Sequence, residues 1–254
     1  MIKLRLALEY DGARFDGWAR QPVRPTVEGA VRDALDSVFP HWDDLAVAGR
    51  TDAGVHASGQ VVSVSVEGGP PAEHAAEALN RRLPPDIAFR SSTEAVSEFH
   101  ARFSAQARAY RYRVLNSRSR SALERRVLWH PRALDVRQLQ SAAATIVGPH
   151  DFRAFTPTET EHSVFQRSVL AASWAGEAGG LLTFSIVADG FLRHMVRTLV
   201  GTMLEQEPAQ ILELLAGAPR ERAGRTVLPD GLCLVGVAYT AHEVDELRRR
   251  NCGG

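Results

Sequence analysis

Cysteine and lysine are scarce in this sequence, and potential metal ligands are not clustered along it. Its two cysteines, Cys233 and Cys252, lie in no CxxC or Cys/His spacing. This argues against a disulfide framework and against a structural zinc site. The nine histidines form no HExxH motif or comparable set. We therefore expect no metal centre.

Long apolar runs are also missing. No stretch approaches the roughly 20 apolar residues that span a bilayer. The segment Met1 to Tyr10 alternates like a strand and lacks the apolar core of a signal peptide. Hydrophobic residues make up 44% of the chain and charged residues 24%, as in ordinary globular proteins. We expect no membrane association and a cytoplasmic location.

The formal net charge is zero, and this excludes a protein that coats nucleic acid over its whole surface. Of the 30 basic residues only Lys3 is a lysine, which leaves 29 arginines. Arginine both pairs with phosphate and stacks on bases. A GC-rich coding bias explains most of them, but a local patch remains compatible with RNA binding.

Apolar periodicity and turn residues predict an alternating order of strands and helices in the first hundred residues. Thr26 is the expected N-cap of the first helix. The predicted elements are a strand at Ile2–Leu8, a helix from Val27 to Val38, strands at Leu45–Ala48 and Gln60–Val66, a helix at Ala72–Arg82, and a strand beginning at Ile87–Arg90. This β-α-β-β-α-β order is that of a ferredoxin-like, or split βαβ, fold.

The second part of the sequence roughly repeats this order. Its predicted elements are a strand at Gln106–Leu115, a helix at Val136–Val147, a strand pair at Val164–Trp174 and Leu181–Val187 around a Gly-rich turn, helices at Phe191–Glu205 and Pro208–Leu215, and a strand at Leu232–Tyr239. We predict an α+β protein of two similar ferredoxin-like halves, residues 1–104 and 105–254. Their mainly antiparallel sheets are expected to meet across a cleft. Two long loops are predicted, at Asp11–Pro25 and Thr156–Glu161, and long loops in compact domains are often functional.

The segment AGRTDAGVHASGQV, at Ala48 to Val61, carries the clearest candidate for chemistry. Asp52 lies two residues after Arg50 on a connection between predicted strands, where Gly49 and Gly54 permit close backbone approach. An aspartate in such a turn often only caps its own backbone. A phosphate-cradling loop is the rival functional interpretation, but neither the GxGxxG nor the Walker spacing is present.

Two further segments contain arginines in unusual settings. Arg193 and Arg197 are four residues apart on a predicted helix that is apolar over most of its circumference, so at least one needs a partner or must reach solvent. One possible partner is a carboxylate such as Asp52. The segment RAYRYR, at Arg108 to Arg113, interleaves Tyr110 and Tyr112 with arginines. That composition suits base stacking and phosphate contact, and equally suits an edge strand with two core tyrosines.

Taken together, these segments resemble the tRNA pseudouridine synthases that isomerise uridines in the anticodon stem-loop. The resemblance covers nearly the whole chain. Its motifs are YDG at Tyr10, GWARQ at Gly17, AGRTDAGVHASGQV at Ala48, FHARFSAQARAYRY at Phe99, HMVRTLVG at His194 and PDGLCLVGVAY at Pro229. Glu28 stands where glutamine is usual, and Gly190 where a small residue such as alanine is usual.

The resemblance implies a role for several individual residues. Asp52 would be the catalytic aspartate, Arg50 would assist base flipping, Tyr110 would stack on the target base, and Arg197 would pair with the aspartate. We expect Arg50, His56, Tyr110 and Arg193 to contact RNA. The resemblance also implies a homodimer, no cofactor, and uridines 38, 39 and 40 of tRNA as substrates.

Two other functions are compatible with the residues alone. A non-catalytic RNA-binding module or RNA chaperone is one, because fold alone does not fix function. A hydrolase acting on an N-glycoside through Asp52 is the other, but such enzymes typically use two carboxylates and the sequence offers no obvious second one.

Overall fold

The computed structural model describes residues 1–160 and 163–253, and it is a mixed α+β structure with mostly antiparallel strand pairs. Within those ranges the strands are β1 (Ile2–Tyr10), β2 (His41–Val47), β3 (His56–Glu67), β4 (Ile87–Ala95), β5 (Ala107–Asn116), β6 (Leu128–His130), β7 (Gly148–Asp151), β8 (Gln166–Gly176), β9 (Leu181–Ala188) and β10 (Leu232–Ala238). The α-helices are α1 (Val27–Val38), α2 (Ala72–Asn80), α3 (Val136–Thr145), α4 (Met195–Glu205), α5 (Pro208–Leu215) and α6 (Ala241–Cys252).

The chain divides into two compact units. The first consists of Met1–Gln106 and Cys233–Thr240, and the second of Ala107–Leu232 and Ala241–Gly254. The boundary after Gln106 lies close to the expected join near residue 104. The observed first unit also includes the strand region Cys233–Thr240, which the sequence analysis had placed in the second half.

In the first unit, β1 lies between β4 and β3 and pairs with both in antiparallel fashion. β2 pairs antiparallel with β3 as well, through contacts such as Val47 with Val62. β10 pairs in parallel with the beginning of β3, where Cys233 faces His56. The predicted element order β-α-β-β-α-β is confirmed for β1 through β4.

The core of the first unit follows from the alternation in β1 and the apolar stripe of α1. Leu4, Leu6 and Leu8 point to one face of β1 and are buried. The side chain of Thr26 accepts a hydrogen bond from the N–H of Gly29 (3.2 Å), which confirms it as the N-cap. α1 buries a face made of Val27, Val31, Ala34 and Leu35.

The sheet of the second unit has the order β5-β9-β8-β7, with every neighbouring pair antiparallel. β6 adds to β5 in parallel. All eight residues of β9 are buried, as expected for a central strand. The Gly-rich turn predicted between β8 and β9 is confirmed, with Gly179 and Gly180 at positive φ.

The predicted beginning of the helix at Phe191–Glu205 is wrong. α4 starts at Met195, and His194 before it has a left-handed backbone (φ 61°) that interrupts helical geometry. Arg193 lies in the preceding turn, so the prediction that Arg193 and Arg197 share a helix face is wrong. The burial of this helix is confirmed, because eight of its residues are buried.

Three elements were not predicted: the short strands β6 and β7, and the helix α6. No helix in the described part of the chain is long and apolar enough to cross a membrane. The expected loop Asp11–Pro25 contains one short 3-10 helix at Gly12–Arg14. Of the second expected loop, residues 156–160 form neither helix nor strand, and Glu161 lies outside the described residues.

Candidate active site

Asp52 lies on the connection between β2 and β3 in the first unit. Buried and exposed residues are mixed along this connection. Thr51 and Val55 are buried, Asp52 is partly exposed, and Arg50 is exposed. The buried residues fix the connection to the unit, and Asp52 lies between them at an intermediate depth.

A buried hydrogen-bond network anchors this connection through Thr51. The hydroxyls of Tyr10 and Thr51 are 2.7 Å apart, and the backbone N–H of Trp18 donates to the carbonyl of Thr51 (3.0 Å). Gln60 Nε2 donates to the carbonyl of Gly49 (2.8 Å) and to the Tyr10 hydroxyl (3.3 Å). Burial raises the pKa of Tyr10 to about 12, so its hydroxyl stays neutral.

The loop Asp11–Pro25 packs directly on the Asp52 connection at two glycines. Gly17 has φ +91°, and a Cβ there would lie 2.9 Å from the carbonyl oxygen of Thr51 and 3.2 Å from the carbonyl carbon of Asp52. A Cβ on Gly12 would lie 2.0 Å from the carbonyl oxygen of Val55. These approaches require glycine. The YDG and GWARQ motifs thus supply the backbone surface against which the connection rests.

His56 lies at the beginning of β3 and is 6% exposed. Its Nδ1 accepts a hydrogen bond from the N–H of Gly12 (3.0 Å) and lies 2.9 Å from Oδ1 of Asp11. The Gly12 N–H requires the lone pair of this nitrogen, whereas the carboxylate requires a proton on it. Either contact ties the YDG segment to β3, so the geometry favours a positioning role for His56 over RNA contact.

In the second unit, Tyr110 lies on β5 and is 8% exposed. Its ring packs edge-to-face against Phe191, with centroids 4.9 Å apart. Tyr112 on the same strand is fully buried and donates its hydroxyl proton to the carbonyl of Leu228 (2.7 Å). Burial raises the pKa of Tyr112 well above its usual value, while the charge of Arg197 opposes that shift. Both tyrosines are buried, Tyr112 completely and Tyr110 with a small exposed part.

Arg197 lies on α4 in the second unit, and its side chain is fixed by a nearby backbone segment. Its Nε donates to the carbonyl of Val227 (2.8 Å), and the N–H of Val227 donates back to the carbonyl of Arg197 (3.4 Å). Gly201 permits this approach, because a Cβ there would lie 1.9 Å from the carbonyl oxygen of Arg225. Sequence reasoning missed this backbone support for Arg197.

The candidate residues thus fall into two groups. Arg50, Asp52 and His56 belong to the first unit, and Tyr110, Arg193 and Arg197 to the second. Sequence reasoning also missed Asp11 and Tyr10 as supports of the Asp52 connection, although the YDG motif contained the signal. Among residues 1–160 and 163–253, no group of three or more His, Cys, Asp or Glu side chains is placed to hold a metal ion.

Comparison of the sequence with known proteins identifies a family and several relatives. The sequence profile of a family described as tRNA pseudouridine synthase matches residues 6–104 and 142–240. A tRNA pseudouridine synthase A from Moorella thermoacetica is 43% identical, over 93% of this chain and 99% of that protein. Proteins of the same name are 39% identical in Myxococcus xanthus, over 94% of this chain and 92% of that protein, and 40% identical in Streptomyces avermitilis, over 98% and 92%.

The chain belongs to the tRNA pseudouridine synthase family. It is an isomerase, and its reaction converts uridine to pseudouridine. Among solved structures, a Cbf5-Nop10-Gar1 complex is similar with a TM-score of 0.38 and 11% identity, over 95% of this chain and 64% of that chain. A similarity of this size supports no inference about this chain.

Proposed function

We propose that this protein isomerises uridines 38, 39 and 40 in the anticodon stem-loop of tRNA, with Asp52 as its essential catalytic group. The observation that carries the proposal is the Asp52 connection itself. Its backbone is fixed from beneath by Tyr10, Gln60 and Gly17, while its carboxylate stays partly exposed. A rigid backbone that presents one accessible carboxylate suits chemistry at a sugar carbon.

The proposed reaction rearranges one glycosidic bond. The bond from ribose C1′ to N1 of uracil breaks, the base rotates, and C1′ bonds to C5. N1 gains a proton and C5 loses one, so no electrons or atoms are exchanged with a cofactor. Asp52 acts either as a nucleophile at C1′ or as a base at C2′.

The other residues prepare the base and the carboxylate for this step. A paired uridine leaves its stack at a cost of a few kcal/mol. Exposed Arg50 assists the flipping, and stacking on the Tyr110 ring returns roughly 1–3 kcal/mol. The family resemblance implies that Arg197 supplies the positive charge that pairs with Asp52.

We further propose that the two units are similar ferredoxin-like folds. In the first unit, β1 to β4 are arranged in the order β4-β1-β3-β2, all antiparallel. In the second, β9 lies between β5 and β8 and runs antiparallel to both. Both arrangements fit a split βαβ. The resemblance to the family also supports a cytoplasmic homodimer.

The substitution Asp52→Asn tests the proposed function. It removes the ionisable carboxylate with little change in volume, so we expect normal folding and tRNA binding but no pseudouridine. Release of tritium from tRNA containing [5-3H]uridine measures the turnover, because C5 loses its hydrogen when C1′ bonds there. Ser58→Ala, at an exposed residue of β3 in the same unit, is the control and should keep full activity. Wild-type rates in the Asp52→Asn protein would refute the assignment.

A further inference from the structure

The segment from Arg118 to Arg132, in the second unit, carries a concentration of positive charge. It contains one acidic residue, Glu124, and five arginines: Arg118, Arg120, Arg125, Arg126 and Arg132. Its net charge is therefore +4, whereas the whole chain has a formal net charge of zero. A coding bias accounts for arginine in place of lysine, but not for five arginines with a single acidic residue among them.

All five arginines of this basic segment are exposed. In the described part of the chain, none of Arg118, Arg120 and Arg132 forms an ion pair. Elsewhere many exposed arginines are paired with carboxylates, as Arg81 is with Glu77 and Arg90 with Glu9. Repulsion among the three unpaired charges of the basic segment disfavours the compact state, and an anionic partner removes that repulsion.

The backbone of the basic segment is attached to the end of β5. Asn116 Nδ2 donates to the carbonyls of His130 (3.0 Å) and Arg132, and its Oδ1 accepts from the N–H of Leu134 (3.1 Å). The indole N–H of Trp129 donates to the carbonyl of Ser117 (2.9 Å). These bonds hold the two ends of the segment, which reduces its ordering cost when a partner binds.

β5 also carries Tyr110, the proposed base platform, six residues before Asn116. At about 3.3 Å per residue, these two positions are roughly 20 Å apart along the strand. A nucleotide stacked on Tyr110 therefore does not itself reach the basic segment. Phosphates elsewhere in the same bound RNA are the groups that could contact the basic segment.

From this charge, exposure and attachment we infer that the basic segment binds the phosphodiester backbone of tRNA outside the anticodon stem-loop. The inference rests on the proposed function, because it takes tRNA as the substrate. Arginine is suited to this contact through its planar fork of donors. Contacts to phosphate position the RNA without reading its sequence.

The experiment compares two triple variants on two RNAs. Arg118→Gln/Arg120→Gln/Arg132→Gln removes three charges from the basic segment. Arg81→Gln/Arg90→Gln/Arg248→Gln removes three charges from exposed arginines that are each ion-paired. For both variants and the wild type, filter binding gives the Kd of full-length tRNA and of an isolated anticodon stem-loop between 50 and 200 mM salt, and tritium release gives the turnover.

We expect the basic-segment variant to bind full-length tRNA about tenfold more weakly, with the slope of log Kd against log salt smaller by roughly two to three. Its affinity for the stem-loop and its kcat should match those of the wild type, as should every constant of the control variant. Unchanged affinity for full-length tRNA, or an equal loss in both triple variants, overturns the inference. Lack of pseudouridine in the wild-type reactions instead overturns the proposed function.

Discussion

Arg197 owes its side-chain position to the backbone that runs beside its helix. Its Nε donates a hydrogen bond to the carbonyl of Val227 (2.8 Å), and this bond fixes the orientation of the guanidinium. A guanidinium held in this way suits a fixed charge opposite a carboxylate. A flexible side chain would lose entropy to reach the same position.

We expect Arg197→Met to lower kcat on the order of 100-fold, with a much smaller change in the Kd of tRNA. The reason is that the role proposed for Arg197 is to act on Asp52 during the reaction and not on the bound RNA. Single-turnover tritium release gives the rate, and filter binding gives the affinity. Arg197→Lys is the matched control, since it keeps the charge and should recover part of the rate. A defect limited to tRNA affinity would mean that Arg197 contacts phosphate instead.

The contacts of His56 could not be predicted from its neighbours in the sequence. Its expected contact with RNA stays a prediction. Its burial and its contacts depend on Asp11 and Gly12, which precede it by more than forty residues. Such a pairing follows from the register of β1 against β3 and from the turn after β1, neither of which a local pattern specifies.

At the scale of elements, the loop Asp11–Pro25 and the Asp52 connection are held together by backbone contacts. The N–H of Gly54 donates to the carbonyl of Phe15 (3.2 Å), and the N–H of Trp18 donates to that of Thr51. Through these contacts the loop fixes the backbone around Asp52.

Gly17→Ala should therefore impair catalysis through the position of Asp52. Its positive φ costs an alanine about 1–2 kcal/mol of stability, and the added Cβ also pushes on Thr51 and Asp52. We expect kcat to fall roughly 10- to 100-fold, as for small misplacements of catalytic groups. Stability is measured by urea unfolding, and kcat by tritium release.

The substitution Gly17→Ala combines backbone strain with displacement of Asp52, and Gly179→Ala serves to separate these two effects. Gly179 also has a positive φ (+74°), but a Cβ there meets no atom within 4 Å. The Gly179→Ala protein should lose the stability that the positive φ costs an alanine, as in Gly17→Ala, and should retain its kcat. Equal loss of kcat in both variants would show that backbone strain alone, and not the position of Asp52, causes the defect.

The elements that were predicted correctly are those with a strong local signal. α1 has an N-cap and an apolar stripe, and β1 alternates without interruption. α6 was missed because it has no buried residue and hence no apolar periodicity. The beginning of α4 was misplaced because its apolar pattern continues through a residue, His194, whose backbone is left-handed.

At the scale of the whole molecule, the first unit is completed by a segment from near the end of the chain. Cys233 pairs with His56 at the beginning of β3, and the N–H of Gln106 donates to the carbonyl of Ala238 (2.8 Å). A parallel pairing over so long a sequence separation has no local signature. The sequence therefore predicted a join near residue 104 but not the return of this strand.

Two buried tyrosines contribute to the change of the chain's stability with pH in the alkaline range, beside the thiol of Cys252, whose pKa burial also raises. The chain has four tyrosines and one lysine, and arginine stays charged in this range. Burial raises the pKa of Tyr10 to about 12 and that of Tyr112 further. Above pH 10 the unfolded chain loses these protons while the folded chain keeps them. The contribution of these two tyrosines to the free energy of unfolding should thus be fully present below pH 10 and decline as the pH rises toward 12.

Tyr10→Phe should make this alkaline decline shallower, by up to about 1.4 kcal/mol per pH unit, because one of the two buried hydroxyls no longer titrates. At pH 8 it should cost about 1 kcal/mol, since Thr51 loses its hydrogen-bond partner. Urea unfolding followed by circular dichroism at pH 8, 9, 10 and 11 measures both effects. Thr51→Val, which breaks the same hydrogen bond but keeps the phenol, is the control and should retain the wild-type decline. A Tyr10→Phe curve parallel to that of the wild type would show that Tyr10 ionises equally in the folded and unfolded chains.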